Sequence, residues 1–529
     1  MGILNCMSRR RKILFVAGIV FGVAILLPVL RHYQLRFAVE SYIAELKAKG
    51  EPMELVQVIP PPGPPEQNGS EIFLKAYELI RNTTTFLSTN SPYGKKMVAP
   101  GRSKVCFRQP ELSEPGEFGF TNSWEQADLA TKQYDDAIKL LCQIGEGRIP
   151  NFQIDYAKSF DDDGFFTNLH LVDFKKSTTI LCDVALVDLH SGNGTGAVQN
   201  VCSALALTEA LKRQRLVISE LVRIAIVSNA QNATWEILQF EKLPDKDLAA
   251  LQNAWERLKF TSGLIDALTM ERLVGDRTLS KQRKSSAELE KYLGIYQAAR
   301  RSMGDDEEVE PTLFQRAKFH VEIFLWRYWW SYRDELRSLR GWKILEENAR
   351  QAETNNEFST LLHQQQINLE KVGIVQGSDK LSNPLLLMEQ PDLHSMLSDS
   401  VITLSGCLRK VMNIETLRSM TITAIALKRF QLKHGNYPAD LNSLVPEFLP
   451  AVPLDPVDGQ PLRYRRNADG TFLLYSVSEN GVDDGGNPAL EKGVTNSSYS
   501  WQNPHALDWV WPQPATEAEI KFFYEHPPK

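Results

Sequence analysis

Residues 424–486 read AIALKRFQLKHGNYPADLNSLVPEFLPAVPLDPVDGQPLRYRRNADGTFLLYSVSENGVDDGG, and the fold of the chain's end is decided here. The first part has a helical pattern. Ile425, Leu427, Phe430 and Leu432 are apolar, while Lys428, Arg429, Gln431 and Lys433 can face water. Gly435-Asn436 stops that helix and Tyr437-Pro438 turns the chain away. A short helix at Leu441 to Val445 is closed by Pro446. Two strand-like runs follow, Pro461 to Arg465 and Thr471 to Val477, and Asn467-Ala468-Asp469-Gly470 between them predicts a hairpin.

The stretch ends in Asn480-Gly481-Val482-Asp483-Asp484-Gly485-Gly486. Hard oxygen atoms on a backbone that glycines allow to curl suit Ca²⁺, which takes six to eight oxygen ligands. The alternative is a solvated glycine turn.

The order of these elements resembles the globular domain of the major (G-type) pseudopilin of type II secretion. Gly435, Tyr437, Pro438, Asp455, Pro456, Gly459, Pro461, Tyr464, Tyr475, Ser476, Gly481, Gly485 and Gly486 carry the likeness, over about the last quarter of the chain. The resemblance implies a small α+β domain with an antiparallel sheet, and calcium held by the acidic loop. Asn480 stands where the family has Asp, and the family's later acid is similar in position to Asp508, ahead of Trp509 and Trp511. The metal-ligating set implied is therefore Asn480, Asp483, Asp484 and Asp508. Pseudopilins place this domain directly after a processed hydrophobic helix. Here the long apolar run lies hundreds of residues upstream and lacks the processing site, so docking or capping is expected rather than fibre assembly.

That run is Ile13 to Leu30, uncharged and preceded by Arg9-Arg10-Arg11-Lys12. It has about the length of a bilayer span. Val29-Leu30-Arg31-His32-Tyr33 offers no small-residue cleavage site, so an uncleaved anchor is expected. The basic cluster puts the N-terminus in the cytoplasm. The bulk of the chain is then periplasmic or extracytoplasmic, on the bacterial inner membrane. The Gly50-Glu51-Pro52 turn, the proline spacer and Glu66-Gln67-Asn68 also resemble large bacterial membrane-anchored proteins, a likeness that supplies no mechanism.

Composition narrows the function. In 529 residues with 43% hydrophobic content there is material for substantial cores. A net charge of −6 argues against a nucleic-acid partner. Cys6, Cys106, Cys142, Cys182, Cys202 and Cys407 show no C-x-x-C spacing, which excludes the common zinc and thioredoxin-like motifs, and they read as buried hydrophobes. There is no phosphate loop, nucleophile elbow or H-E-x-x-H.

The middle of the chain is helical. Helices are expected at about 70–81, 123–144, three times over 169–240, and near 243–258, 264–273, 286–303 and 311–339. Pro60 to Pro65 is an extended spacer, and Asn82 to Gly119 an irregular loop. The aromatic cluster Phe324 to Tyr332 is expected in the core, with a partner- or membrane-facing surface as the alternative. Glu353 to Gly377 is expected to hold a helix fragment and a loop.

The expected architecture is mainly α. Residues 1–12 are a cytoplasmic basic segment and 13–30 a transmembrane helix. Residues 31–121 hold a juxtamembrane helix, proline-rich spacer and irregular region. Residues 122–394 form a helical-repeat-like domain, and 395–529 a long helix with the pseudopilin-like domain. The expected function is non-enzymatic: an envelope scaffold with protein partners. The alternative is an envelope hydrolase with its site near Asp161, Asp162, Asp163 and His170.

Overall fold

The computed structural model describes residues 9–81, 96–110, 123–145, 147–156, 169–291, 313–355, 357–374, 398–492, 494 and 502–526, with first-helix side chains from residue 26 on, Pro28 excepted. Helix α1, Arg9–Ala48, is followed by α2, Ser70–Ile80, α3, Trp124–Lys132, and α4, Asp135–Gly145. The body continues with α5, Leu171–His190, α6, Gly194–Arg213, α7, Val217–Leu238, α8, Asp245–Arg257, and α9, Phe260–Lys284. Next come α10, Leu313–Leu325, a π-helical turn, Trp326–Trp330, α11, Ser331–Asn355, α12, Phe358–Lys371, and α13, Ser398–Leu404. Helix α14, Cys407–His434, leads into the C-terminal part, which ends in α15, Glu517–Glu525. The protein is thus mainly helical, with small sheets toward its C-terminal end.

Helix α14 is central because its surface is apolar on every side. Leu408, Val411, Ile414, Leu417, Met420, Ile425 and Leu427 are all buried, which a single-faced helix would not allow. It packs on α7, α8, α9 and α12. One hydrophobic cluster extends from Phe73 through Leu211 and Trp255 to Trp511, so body and tail share a core. Gly435 ends α14 as its sequence implies. It takes φ +79, and its N–H donates to the Gln431 carbonyl at 2.8 Å.

Beyond it, β3, Arg463–Arg466, and β4, Phe472–Ser476, form the expected antiparallel hairpin, with Arg465 opposite Leu473. β4 also pairs antiparallel with β5, Trp509–Val510, and packs against α14. Five of the six cysteines are described, and all five are free.

Several elements depart from expectation. The stretch 82–119, expected to be irregular, contains a hairpin: β1, Lys96–Ala99, and β2, Arg102–Lys104. β2 pairs in parallel with β6, Gln513–Pro514, and these three strands make a second sheet. The helix expected over 123–144 is two, α3 and α4. The second opens on Asp135 and Asp136, acids that suit a helix N-terminus. In the aromatic cluster Trp326 is fully buried, but Phe324, Tyr328 and Trp329 are exposed. The polar stretch 353–377 holds a full helix, α12.

Among the described residues no helix is long and apolar enough to cross a membrane. The run 13–30 lies in the first half of α1, and its side chains up to residue 25 lie outside the described residues.

Candidate functional site

The acidic loop closes on the hairpin. Gly486 has φ +79, and a Cβ there would sit 2.6 Å from Leu473 Cδ2 and 3.1 Å from the Tyr475 ring, so this approach requires glycine. Asp508 is buried beneath the loop. Its carboxylate accepts from the backbone N–H groups of Gly486 and Asn487, each at 2.9 Å, and of Asp484 at 3.4 Å. Burial pushes its pKa up, against the pull of those amides.

The other three expected ligands turn elsewhere. Asp483 accepts from the Gly485 N–H at 3.0 Å and the Tyr475 hydroxyl at 2.9 Å. The Gly485 amide holds its pKa below the usual carboxylate range. Asn480 accepts from Val482 N–H at 2.8 Å and donates to Asp484 at 3.3 Å.

The organising pair, which sequence patterning does not reveal, is Asp455 with Arg463. Asp455 is fully buried in the turn before the hairpin. It accepts from Val457 N–H at 3.1 Å, Ser476 Oγ at 2.9 Å, Val477 N–H at 3.1 Å and Arg463 Nη1 at 3.1 Å. Arg463 also makes a forked pair with Asp458, at 3.1 and 2.5 Å, and its Nε lies 3.6 Å from Asp483. One guanidinium therefore sets positive charge among three acids, and a planar fork does this better than an ammonium. Ser478, at φ 54, ties the same region to the tail by donating to the Ala506 carbonyl at 2.7 Å.

In this structure the four residues are held within a hydrogen-bonded loop. Asn480, Asp483 and Asp508 each accept from amide or hydroxyl donors, Asp484 meets the Asn480 side-chain amide at 3.3 Å, and Arg463 brings a cation within 3.6 Å of Asp483. Among the described residues no three acids, histidines or cysteines come together as a metal-holding group. Truncating Arg463 to alanine is expected to cost about 2 kcal/mol, because a charged acceptor at the buried Asp455 loses one of four donors. Urea unfolding measures this. Millimolar Ca²⁺ is expected to leave the unfolding temperature of the natural protein unmoved. A calcium-dependent rise there would mean that the acids rearrange around the ion.

Of the alternative site, Asp161, Asp162 and Asp163 lie outside the described residues. His170 stands at the start of α5, half-buried at φ 54. Its Nδ1 is 2.8 Å from Asp173 Oδ2, and its ring is 4.3 Å from that of Phe152. This is a helix-start contact between neighbours in sequence. A groove between the proline spacer and the body is lined by Pro60, Pro61, Pro64, Asn68, Asn151 and Arg213, with no acid or histidine. No protein-family profile, curated protein or solved structure matches the chain.

Proposed function

We propose that this chain is a single-pass, membrane-anchored scaffold of the bacterial envelope. Its helical body and pseudopilin-like tail would be displayed outside the cytoplasm to bind protein partners, among them components of a type II secretion machinery. Helix α1 carries this proposal. Its first half contains the uncharged run Ile13 to Leu30, which spans about 27 Å as a helix and so matches the ~30 Å hydrocarbon core of a bilayer. Its second half joins the body without a break, with Val39 packed against Leu336 and Leu339.

The helical body supports a scaffold because a continuous hydrophobic cluster runs through it, and its buried Arg223 and Arg272 are paired with acids. Arg223, fully buried, meets Glu220 at 3.1 Å and Glu209 at 3.0 Å and donates to the Lys259 carbonyl at 3.0 Å. Gly263 makes room for this group, since a Cβ there would lie 2.6 Å from Glu220 Oε1. Such a network orders a core and presents no reactive group to solvent. Among the described residues no observation favours the hydrolase.

Membrane fractionation tests the proposal. The full chain is expected to stay in the membrane pellet through alkaline carbonate, and protease added to spheroplasts is expected to digest the body. Release by carbonate, or a body protected in intact spheroplasts, would overturn it.

A further inference from the structure

Helices α1 and α11 run side by side in the same direction. The His32 ring lies 5.0 Å from that of Tyr332, and the Arg340 guanidinium 5.7 Å from the Tyr42 ring. Glu51, just past α1, meets Arg350 at 2.8 Å. The register rises together along both helices. Traced backward, the segment ahead of α11 lies toward the end of α1 that holds the apolar run, and α1 touches the turn Trp326–Trp330.

Helix α9 arrives at the same end from the opposite direction. Arg272 pairs with Glu346, whereas Arg283, near the end of α9, pairs with Glu335 at 2.5 Å and donates to Ser331 at 3.1 Å. The C-terminal end of α9, helix α10 and the π-helical turn thus form the lobe nearest the apolar half of α1.

This lobe has two apolar faces. Ile323 and Trp326 pack inward on Leu279 and Leu289. The outward face carries Leu313, Val321, Phe324, Tyr328 and Trp329, with Leu313 86% and Phe324 55% exposed. The spacing of 313, 317, 321, 324 and 328 follows one helical stripe, and Ala317 is exposed as well. Tyr33 and Phe37 of α1 are exposed at the same level. Arg277, Lys284 and Lys291 stand exposed nearby, with Glu288 among them. Arg327 is held at the lobe by donating to the carbonyls of Arg283 and Lys284 at 3.0 Å.

We propose that this stripe lies in the headgroup zone of the bilayer and forms a second, peripheral membrane contact beside the anchor. The inference rests on α1 being that anchor. Trp and Tyr at the end of an amphipathic helix, with cations beside them, match the chemistry of an interface containing anionic lipid. Arg327 and His320 on the same helix favour lying at the surface over crossing it.

The test uses the full chain in vesicles of phosphatidylethanolamine and phosphatidylglycerol carrying brominated acyl chains, with tryptophan emission as the readout. Trp235, Trp255, Trp326 and Trp509 are fully buried, whereas Trp329 is 42% exposed. The natural chain is expected to be quenched, and W329F to lose most of that quenching. A triple variant V321D/F324D/Y328D is expected to lose it as well while resisting carbonate extraction. Equal quenching in the natural chain and in W329F, or none in either, would overturn the second contact. Carbonate extraction scores the anchor separately. Carbonate release with quenching intact would sink the anchor alone, and resistance without quenching the stripe alone.

Discussion

Replacing Glu346 by alanine is expected to destabilise the protein by about 3–5 kcal/mol, the cost of leaving a buried partner charge uncompensated. Glu346 and Arg272 are both essentially inaccessible to solvent and pair at 2.7 Å. Glu346 also lies 3.6 Å from Lys343 and 3.7 Å from Arg350. Arg272 reaches further and donates to the Pro52 carbonyl at 3.0 Å. Glu51, one residue earlier, accepts from Lys343 and from Arg350, the latter at 2.8 and 3.0 Å. The group therefore clamps residues 51–53, where the chain leaves α1, onto α9 and α11. A double variant R272M/E346L is expected to recover most of the loss, since an apolar pair of similar volume needs no desolvation. Residues 51–53 would still be freed, and limited proteolysis near Gly50 would show this. A cost below about 1 kcal/mol for E346A, the level of an exposed pair, would refute the clamp.

The same group sets an acid limit. Burial alone would raise the pKa of Glu51, but hydrogen bonds from Arg350 and Lys343 outweigh it and hold the value at about 2, against 4.5 for the free side chain. A lowered folded-state pKa means that the unfolded chain takes up the proton first. The contribution of Glu51 is then complete above about pH 4.5 and is lost as pH falls through about 2. An E51Q variant should show a shallower loss of stability across that window.

The second large effect is expected at Trp235, where truncation to alanine should cost about 3–5 kcal/mol. Trp235 is fully buried in α7, and its indole N–H donates to the Pro512 carbonyl at 3.0 Å. Pro512 sits in the segment that joins the two sheets. Trp511 N–H donates to the Leu474 carbonyl at 2.8 Å, Gln513 N–H to Gly101 at 3.0 Å and Ala515 N–H to Ser103 at 2.8 Å. A W235F variant keeps most of the ring and is expected to lose about 1–3 kcal/mol through the orphaned carbonyl. Hydrogen exchange should quicken at Gln513 and Ala515 while α5 and α6 stay protected. Uniform quickening would mean that Trp235 supports the whole core and not this seam.

The seam also shows where the sequence could not be read. The hairpin of β1 and β2 is short, and its third strand lies some 400 residues away, a pairing that local alternation does not encode. Arg272, Glu346, Arg223 and Glu220 look like ordinary water-facing charges in helical sequence. Only the neighbouring helices make them interior pairs. What was legible was local. The spacing of Leu181, Val184 and Ala185 marks α5, Gly435-Asn436 marks the end of α14, and Asn467 to Gly470 marks the hairpin turn. In the acidic loop, the glycines foretell its curl. That Asp455 and Arg463 would organise it depends on residues 455, 458, 463 and 483 meeting in space, which no spacing rule anticipates.

Helix α1 passes from its apolar half into the body as one helix, with Pro28 inside it three residues before Arg31. From Arg31 to Ala48 it rises about 27 Å. Proline removes one helical hydrogen bond and favours a kink, so a pivot at Pro28 would let the body swivel like a float on a line. If α1 is the anchor proposed above, the stretch beyond Pro28 would act as a lever arm, and a change in bilayer thickness that tilts it would swing the C-terminal sheets through an arc. Partners would then meet those sheets at a height and heading that the lipid sets.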